Sequence, residues 1–208
     1  HLGIPLGSAA ATGIPVYMPW LGKKAYDGIM AAYTAASRKN GKKYIPLMKN
    51  ATQLYVIEKG ALCGVVLDGS YNLTEANYKT SLQNLVDRVL ITDKDGNQIG
   101  VVEDAAAQQK YGVVQAVYKQ EDGKDAQTEA KALLQTLEQS GSVTGCQGDS
   151  RAVSGYALIV QETTTGLFGK FYIESDTHTF TDGKHEMALT LAFSNMMDEK
   201  EIENQSQG

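Results

Sequence analysis

The sequence predicts a mainly β protein of the α+β class: a small helix-plus-hairpin unit followed by a barrel-like β domain with an inserted helix. Three observations predict it. From Leu62 onward, seven segments rich in Val, Ile, Leu, Tyr and Phe are set apart by Gly or Asp-Gly: GVVLDGSYNL, LVDRVLIT, QIGVVE, GVVQAVYK, SGYALIVQ, GKFYIESDTHTF and HEMALTLAF. Glycine is frequent at 21 residues and proline scarce at four, which suits short strands joined by tight turns. Helical periodicity is confined to three segments, too few to layer helices over a sheet.

Taken in order, Gly-Ile-Pro occurs at 3–5 and again at 13–15, and reads as extended turns ahead of a helix. That helix is expected from about Gly22 to Arg38, with Ala25, Ile29, Ala32, Tyr33 and Ala36 on one face and Asn40-Gly41 as its stop. YIPLM and QLYVIE, joined by Lys49-Asn50-Ala51-Thr52, read as a short hairpin. Residues 1–61 therefore form the helix-plus-hairpin domain and residues 62–208 the barrel-like domain. Within the second, Glu103 to Lys110 reads as a short helix ending at Tyr111-Gly112. Asp125 to Gln139 reads as the inserted helix, capped by Asp125 and apolar along Ala126, Ala130, Leu133, Leu134 and Leu137. The small, polar stretch SGSVTGCQGDS, residues 140–150, is expected to be an exposed loop.

Composition excludes several classes. Apolar residues at 42% and charged residues at 21% describe a folded chain rather than a disordered one. A net charge of −5 opposes specific nucleic-acid binding, which needs clustered Lys and Arg; Lys23-Lys24 and Lys42-Lys43 are short enough to be solvated surface. No run approaches the roughly 20 apolar residues that span a bilayer, so no membrane partner is expected. HLGIPLGSAAATGIP lacks the charged start and apolar run of a signal peptide, and a chain beginning with His rather than Met reads as a fragment or processed product. Cys63 and Cys146 have no metal or redox spacing and are expected as free thiols in a reducing compartment. Trp20 and the 11 scattered tyrosines define no binding groove.

The residues 171–193, FYIESDTHTFTDGKHEMALTLAF, hold Glu174, Asp176, His178, Asp182, His185 and Glu186, the densest set of ligand-type side chains in the chain. Their meaning depends on register. A two-residue turn at Asp182-Gly183 sets His178 opposite Met187 and Asp176 opposite Leu189, burying carboxylates against leucines at a cost of several kcal/mol unless they are paired. A bulged turn at Thr181-Asp182-Gly183 instead pairs Ile173 with Leu191, Ser175 with Leu189 and His178 with Glu186, giving one apolar and one polar face. The bulged turn is preferred. It puts His178 and His185 on opposite faces and leaves Asp176, His178 and Glu186 as a surface cluster. By the same reasoning a bulge at Gly96 pairs Ile91 with Ile99 and Val89 with Val101. Asp93, Asp95 and Asn97 resemble the start of a calcium loop, but Gln98 stands where that loop needs Gly.

Two enzyme readings compete with a structural one. Gly148-Asp149-Ser150 with Asp182-Gly183-Lys184-His185 has the outer blocks of a GDSL esterase, with Ser150 as nucleophile and His185 as base. Asp176 and His178 could serve a metal-dependent hydrolase. Neither has the surrounding βα units, elbow or oxyanion loop, so no catalytic, cofactor-binding or metal-binding residue is assigned and no cofactor is expected.

Longer strings are more specific. DGSYNLTEANYKTSLQNLVDRVLITDKDGNQIGVVEDAAAQQKYGVVQAVY, the helix ending AKALL, and GYALIVQETTTGLFGKFYIESDTHTFTDGKHEMALTLAFSNMMDEKEIE are similar to the XkdQ/YqbQ family of phage and prophage tail proteins. With the Gly-Ile-Pro opening and AYDGIMAAY, the resemblance covers nearly the whole chain. It implies a baseplate hub subunit of a contractile tail or tail-like bacteriocin, related to the late control protein D group, with no enzymatic role. It further implies a homotrimer in the complete protein, partners in the tail tube, spike, tape-measure and baseplate proteins, and a place in a virion tail assembled in the bacterial cytoplasm. Set against the family pattern, the chain is expected to be without the N-terminal region that would carry the first barrel. It is expected to hold an intermediate domain and the second barrel. Its acidic balance would also suit a channel that DNA passes without sticking.

Overall fold

The computed structural model describes residues 3–18 and 24–201. They form two compact units, one of residues up to 78 together with those from 141 onward, the other of residues 79–140.

In the first unit the N-terminal part holds strand β1 (Leu6–Ala9), helix α1 (Ala25–Asn40) and the hairpin β2 (Tyr44–Lys49) and β3 (Gln53–Glu58), with sheet order β1-β3-β2. The hairpin turns where expected, through Asn50 and Ala51 at φ 52° and 54°. Helix α1 is alanine-rich and ends at Gly41, whose φ of 73° lets its N–H reach Ser37 O at 2.7 Å. The expected start at Gly22, like Trp20, lies outside the described residues. The buried face is not the expected one. Of Ala25, Ile29, Ala32, Tyr33 and Ala36 only Ala36 is fully buried, and Gly28, Met30, Ala31, Thr34 and Ser37 are buried instead. A C-terminal strap helps to cover this face. Thr34 Oγ1 accepts from Lys200 N at 3.1 Å, Tyr26 donates to Asp198, Lys43 pairs with Glu199 and Arg38 with Glu201. Small hydroxyls packed under a strap leave no trace in hydrophobic periodicity.

The rest of the first unit is one six-stranded sheet. Its strands are β4 (Leu62–Asp68), β5 (Glu75–Ser81), β9 (Glu138–Gln147), β10 (Ala157–Glu162), β11 (Leu167–Thr181) and β12 (Lys184–Ala192), in the order β4-β10-β11-β12-β9-β5. Every strand lines one core. Val65 and Leu67 meet Leu158, Val160, Phe171, Ile173, Leu189, Leu191, Val143 and Cys146, with Ala76 and Tyr78 of β5 packed against them. No helical residue belongs to that core. A single sheet can bury its apolar face in this way only by curling around it. The curl ends at a seam. Asn72 Oδ1 accepts from Asp68 N at 2.7 Å and Asn72 Nδ2 donates to Val66 O at 3.0 Å, while Asn72 O accepts from Gln147 N at 3.1 Å. One residue thus ties edge strand β4 to β9, which a flat sheet would hold four strand spacings, about 19 Å, apart. The expected barrel-like domain is a curled sheet with no closed backbone ladder among the described residues.

Two expectations fail in this sheet. Residues 140–150 are mostly strand, not exposed loop: β9 runs to Gln147, with Gly141, Val143 and Cys146 buried. A Cβ on Gly141 would lie 3.1 Å from Leu167 Cδ2, so the small residues that suggested a loop are those a tight interior needs. The preferred hairpin register is also wrong near the turn. Asp182 and Gly183, at φ 50° and 76°, form a two-residue turn, and His178 pairs with Met187 and Asp176 with Leu189. Beyond a bulge at Glu174 the expected pairing of Ile173 with Leu191 returns. The bulge turns Glu174 outward, where it is exposed, and so removes one carboxylate from the core-facing row.

The second unit holds β6 (Arg88–Thr92), β7 (Gln98–Glu103), α2 (Ala105–Tyr111), β8 (Gln115–Lys119) and α3 (Ala126–Ala132), with sheet order β7-β6-β8. Asp104 caps α2 and Asp125 caps α3 through backbone amides. The inserted helix stops well short of Gln139. Gln135 exchanges two backbone hydrogen bonds with Val86, at 2.9 and 3.0 Å, which draws the chain into an extended path. The β6–β7 hairpin has the expected turn with Gly96 at φ 90°, but a second irregularity at Ile99 sets Ile91 against Gly100 and Val89 against Val102. The expected pairing of Ile91 with Ile99 and Val89 with Val101 is therefore off by one. The observed register leaves Ile99 half exposed and puts Val89, Ile91 and Val102 together under Ala130 of α3.

Replacing Asn72 by Ala leaves Asp68 N and Val66 O without their partners. The expected loss is about 1–3 kcal/mol in equilibrium unfolding. A change within experimental error would show that the seam does not hold the curl.

Candidate functional site

The curled sheet positions the ligand-type residues. With the two-residue turn, Asp176, His178 and His185 continue the core-facing rows of β11 and β12 beyond Leu189 and Met187. They are half-buried at one end of the core, and the segment 148–154, between β9 and β10, crosses over them. Its backbone meets their polar atoms. Ser154 N donates to Asp176 Oδ1 at 2.6 Å, and His178 Nε2 lies 3.1 Å from Ala152 O. His178 Nδ1 lies 2.9 Å from His185 Nε2, and His185 O accepts from Gly148 N at 2.8 Å. These bonds offset the burial that made this register look costly from sequence. His178 and His185 therefore share a face and touch, contrary to the expectation that they lie on opposite faces.

The hydrogen-bonding roles follow from chemistry. A carbonyl only accepts, so His178 Nε2 carries the proton toward Ala152 and Nδ1 accepts from His185 Nε2–H. Phe180 stacks on the other imidazole at 4.1 Å between ring centres. Gly148 lies against the His185 ring, and a Cβ there would fall 2.2 Å from Cγ. Asp149 is clamped by Arg151, whose Nε and N both lie 3.0 Å from Oδ1. These bonds hold the Asp149 carboxyl down to about 2. Burial pushes the Cys146 thiol, which shares a small cavity with His185, up to about 11, and both cysteines are free.

Of the six residues singled out in the hairpin, Asp176, His178 and His185 converge. Glu174 and Glu186 are exposed, and Asp182 is in the turn. Among the described residues no group of three or more His, Cys, Asp or Glu is arranged to hold a metal ion. The Gly148-Asp149-Ser150 motif does come to His185, but through glycine. Ser150 is exposed and lines a groove of about 750 Å³ with Leu47, Leu62, Cys63, Arg151 and Tyr156. No hydrogen bond among the described residues joins Ser150 to a histidine, as a serine nucleophile requires of its base. Sequence reasoning missed Ala152 and Ser154, whose backbone completes the cluster; no side-chain pattern could have signalled them. It also missed Asn72.

The cluster is thus a set of backbone-satisfied polar groups at the mouth of a β core, in a mainly β protein. The family model described as YQBQ-like matches residues 1–192, and the chain belongs to that family. It is 26% identical over 192 residues to the Phage-like element PBSX protein XkdQ of Bacillus subtilis (strain 168), covering 84% of this chain and 56% of that protein. Among solved structures it is similar to the prophage MuSo2 43 kDa tail protein of Shewanella oneidensis. That match has a TM-score of 0.59 and 14% identity, over 91% of this chain and 59% of the other. It is also similar to a tail protein of Neisseria meningitidis MC58, with a TM-score of 0.46 and 13% identity, over 78% of this chain and 54% of the other. The chain therefore spans just over half the length of these relatives.

Gly148→Ala is expected to cost about 1–3 kcal/mol, read as a melting temperature several degrees lower, because the new methyl overlaps the His185 ring. Combining it with His185→Ala should recover part of that loss in a double-mutant cycle. A neutral Gly148→Ala change would contradict the packing.

Proposed function

We propose that this chain is a non-enzymatic structural subunit of a phage tail or tail-like bacteriocin, placed at the baseplate hub of a contractile particle. In this reading it joins the tail tube to the spike and contacts tape-measure and baseplate proteins. It acts as a homotrimer when complete, assembled into the tail in the bacterial cytoplasm. Residues 1–61 serve as the intermediate domain and residues 62–208 as a hub barrel. The observation that carries the reading is family membership over residues 1–192, in a family whose relative XkdQ is named as a phage-like element protein. The likeness of fold to the MuSo2 tail protein supports it.

The polar cluster fits a structural role. Both nitrogens of His178 are engaged by protein groups, and Asp176 Oδ1 accepts from a backbone amide, so the imidazole is not held free for a substrate proton or a metal. The alternatives are an esterase through Ser150 and His185 and a metal hydrolase through Asp176 and His178. Ester hydrolysis or bound metal that disappears in Ser150→Ala or His178→Ala would favour them.

The mass in solution of the full-length protein that contains this chain tests the hub. A trimer is the expected result. A monomer that persists as concentration rises would contradict it.

A further inference from the structure

We propose that His178 and His185 form an acid-sensitive latch that holds segment 148–154 across the end of the β core, and that the segment opens when both rings are protonated. The inference stands on the geometry of the pair and does not rest on the hub reading.

The segment is held at three points, each on the β11–β12 hairpin: Gly148 N on His185 O, Ala152 O on His178 Nε2, and Ser154 N on Asp176 Oδ1. The middle point runs through the contact between the two imidazoles, 2.9 Å from Nδ1 to Nε2. A distance that short has room for one proton. With both rings neutral, His185 Nε2–H donates to His178 Nδ1. One added proton is absorbed without movement: it enters at His185 Nδ1 while the shared proton passes from His185 Nε2 to His178 Nδ1, so that His178 donates at both nitrogens, to Ala152 O and to His185 Nε2. A second added proton puts an N–H from each ring on the same axis and two positive charges in contact. Every ring nitrogen now carries hydrogen, so no change of tautomer relieves the clash.

The charged groups around the pair do not remove this conflict. Asp176 Oδ2 lies 3.6 Å from His178 Nε2. Asp149 acts on His185, but it is paired with Arg151 at 2.7 Å. Cys146, Tyr71, Lys184 and Glu186 line the small cavity beside His185. The burial that pushes the Cys146 thiol up to about 11 keeps it neutral here. Phe180, stacked on His185, limits the ring's retreat to one side.

The open form lets the rings part and each donate to water. It binds one proton more than the closed form, so opening is favoured as pH falls. Ser150, Arg151, Val153 and Ser154 of this segment form one wall of the 750 Å³ groove, so opening reshapes the groove.

The test is amide exchange and histidine titration by NMR on the whole chain, with exchange corrected for the intrinsic effect of pH. As pH falls from about 7.5 to about 5, the range in which imidazoles in general gain a proton, the Ser154 and Gly148 amides should lose protection by about tenfold or more. The Ile173 amide, bonded to Tyr156 O at 2.9 Å, should keep its protection. Segment amides that stay protected while both rings titrate would overturn the latch. So would loss of protection only at the lower pH where carboxylates titrate, which would assign the hold to Asp176 alone. His185→Gln keeps an N–H donor for His178 Nδ1 and cannot take a charge, so it should abolish the transition; a transition that survives also overturns the proposal. The wild-type titration decides the matter even where that variant fails to fold.

Discussion

The structure of the larger unit depends on one constraint: six strands share a single core to which no helical residue among those described contributes. An apolar sheet face left to water would lose the burial that holds a domain of this size together. The sheet escapes this by curling until β4, at one edge, approaches β9 near the other. The backbone ladder does not close there. Asn72 closes it, with its side chain bonded to β4 and its carbonyl to β9. The same bonds protect an edge strand that would otherwise offer free amide and carbonyl groups to other chains, and the Gly64 kink at φ 78° further breaks that edge.

Curling also explains the polar cluster. The interior of a curled sheet has ends, and core-facing positions near an end need polar groups with definite partners or a covering segment. Here both occur. The rows through Leu189 and Met187 run out into Asp176, His178 and His185, and the segment 148–154 lays its backbone over them. An unpaired carboxylate there would cost several kcal/mol, whereas a carboxylate accepting from a backbone amide does not. What looks in sequence like a catalytic or metal constellation is, in the fold, the means by which a loop is fixed to a hairpin.

Much of this was legible in the sequence. The β-rich class, the stop of α1 at Gly41, the β2–β3 hairpin and the Asp125 cap of α3 follow from local patterns, and the long ordered strings carried the family. The misreadings share a cause. Both hairpins contain a bulge away from the turn, at Glu174 and Ile99, and a rule that places all slippage in the turn misses it: in β11–β12 the pairs between turn and bulge come out off by one, in β6–β7 the pairs beyond the bulge. Strand β9 was hidden because Gly141 and Ser142 are small, yet Gly141 is small because Leu167 and Leu191 press on it. Strand β5, EANYKTS, was passed over for its polarity, although Ala76 and Tyr78 reach the core. In each case the tertiary neighbour, not the local sequence, set the conformation.

The central claim is that the sheet is curled and tied at Asn72. Scalar couplings across hydrogen bonds test it directly, because they report the bond itself. Couplings should appear from Gln147 N to the Asn72 backbone carbonyl carbon and from Asp68 N to the Asn72 side-chain carbonyl carbon, in the sample that shows the β10–β11 ladder. Ladder couplings without either seam coupling would mean that the edges stand apart, and the account of the core would fail with them.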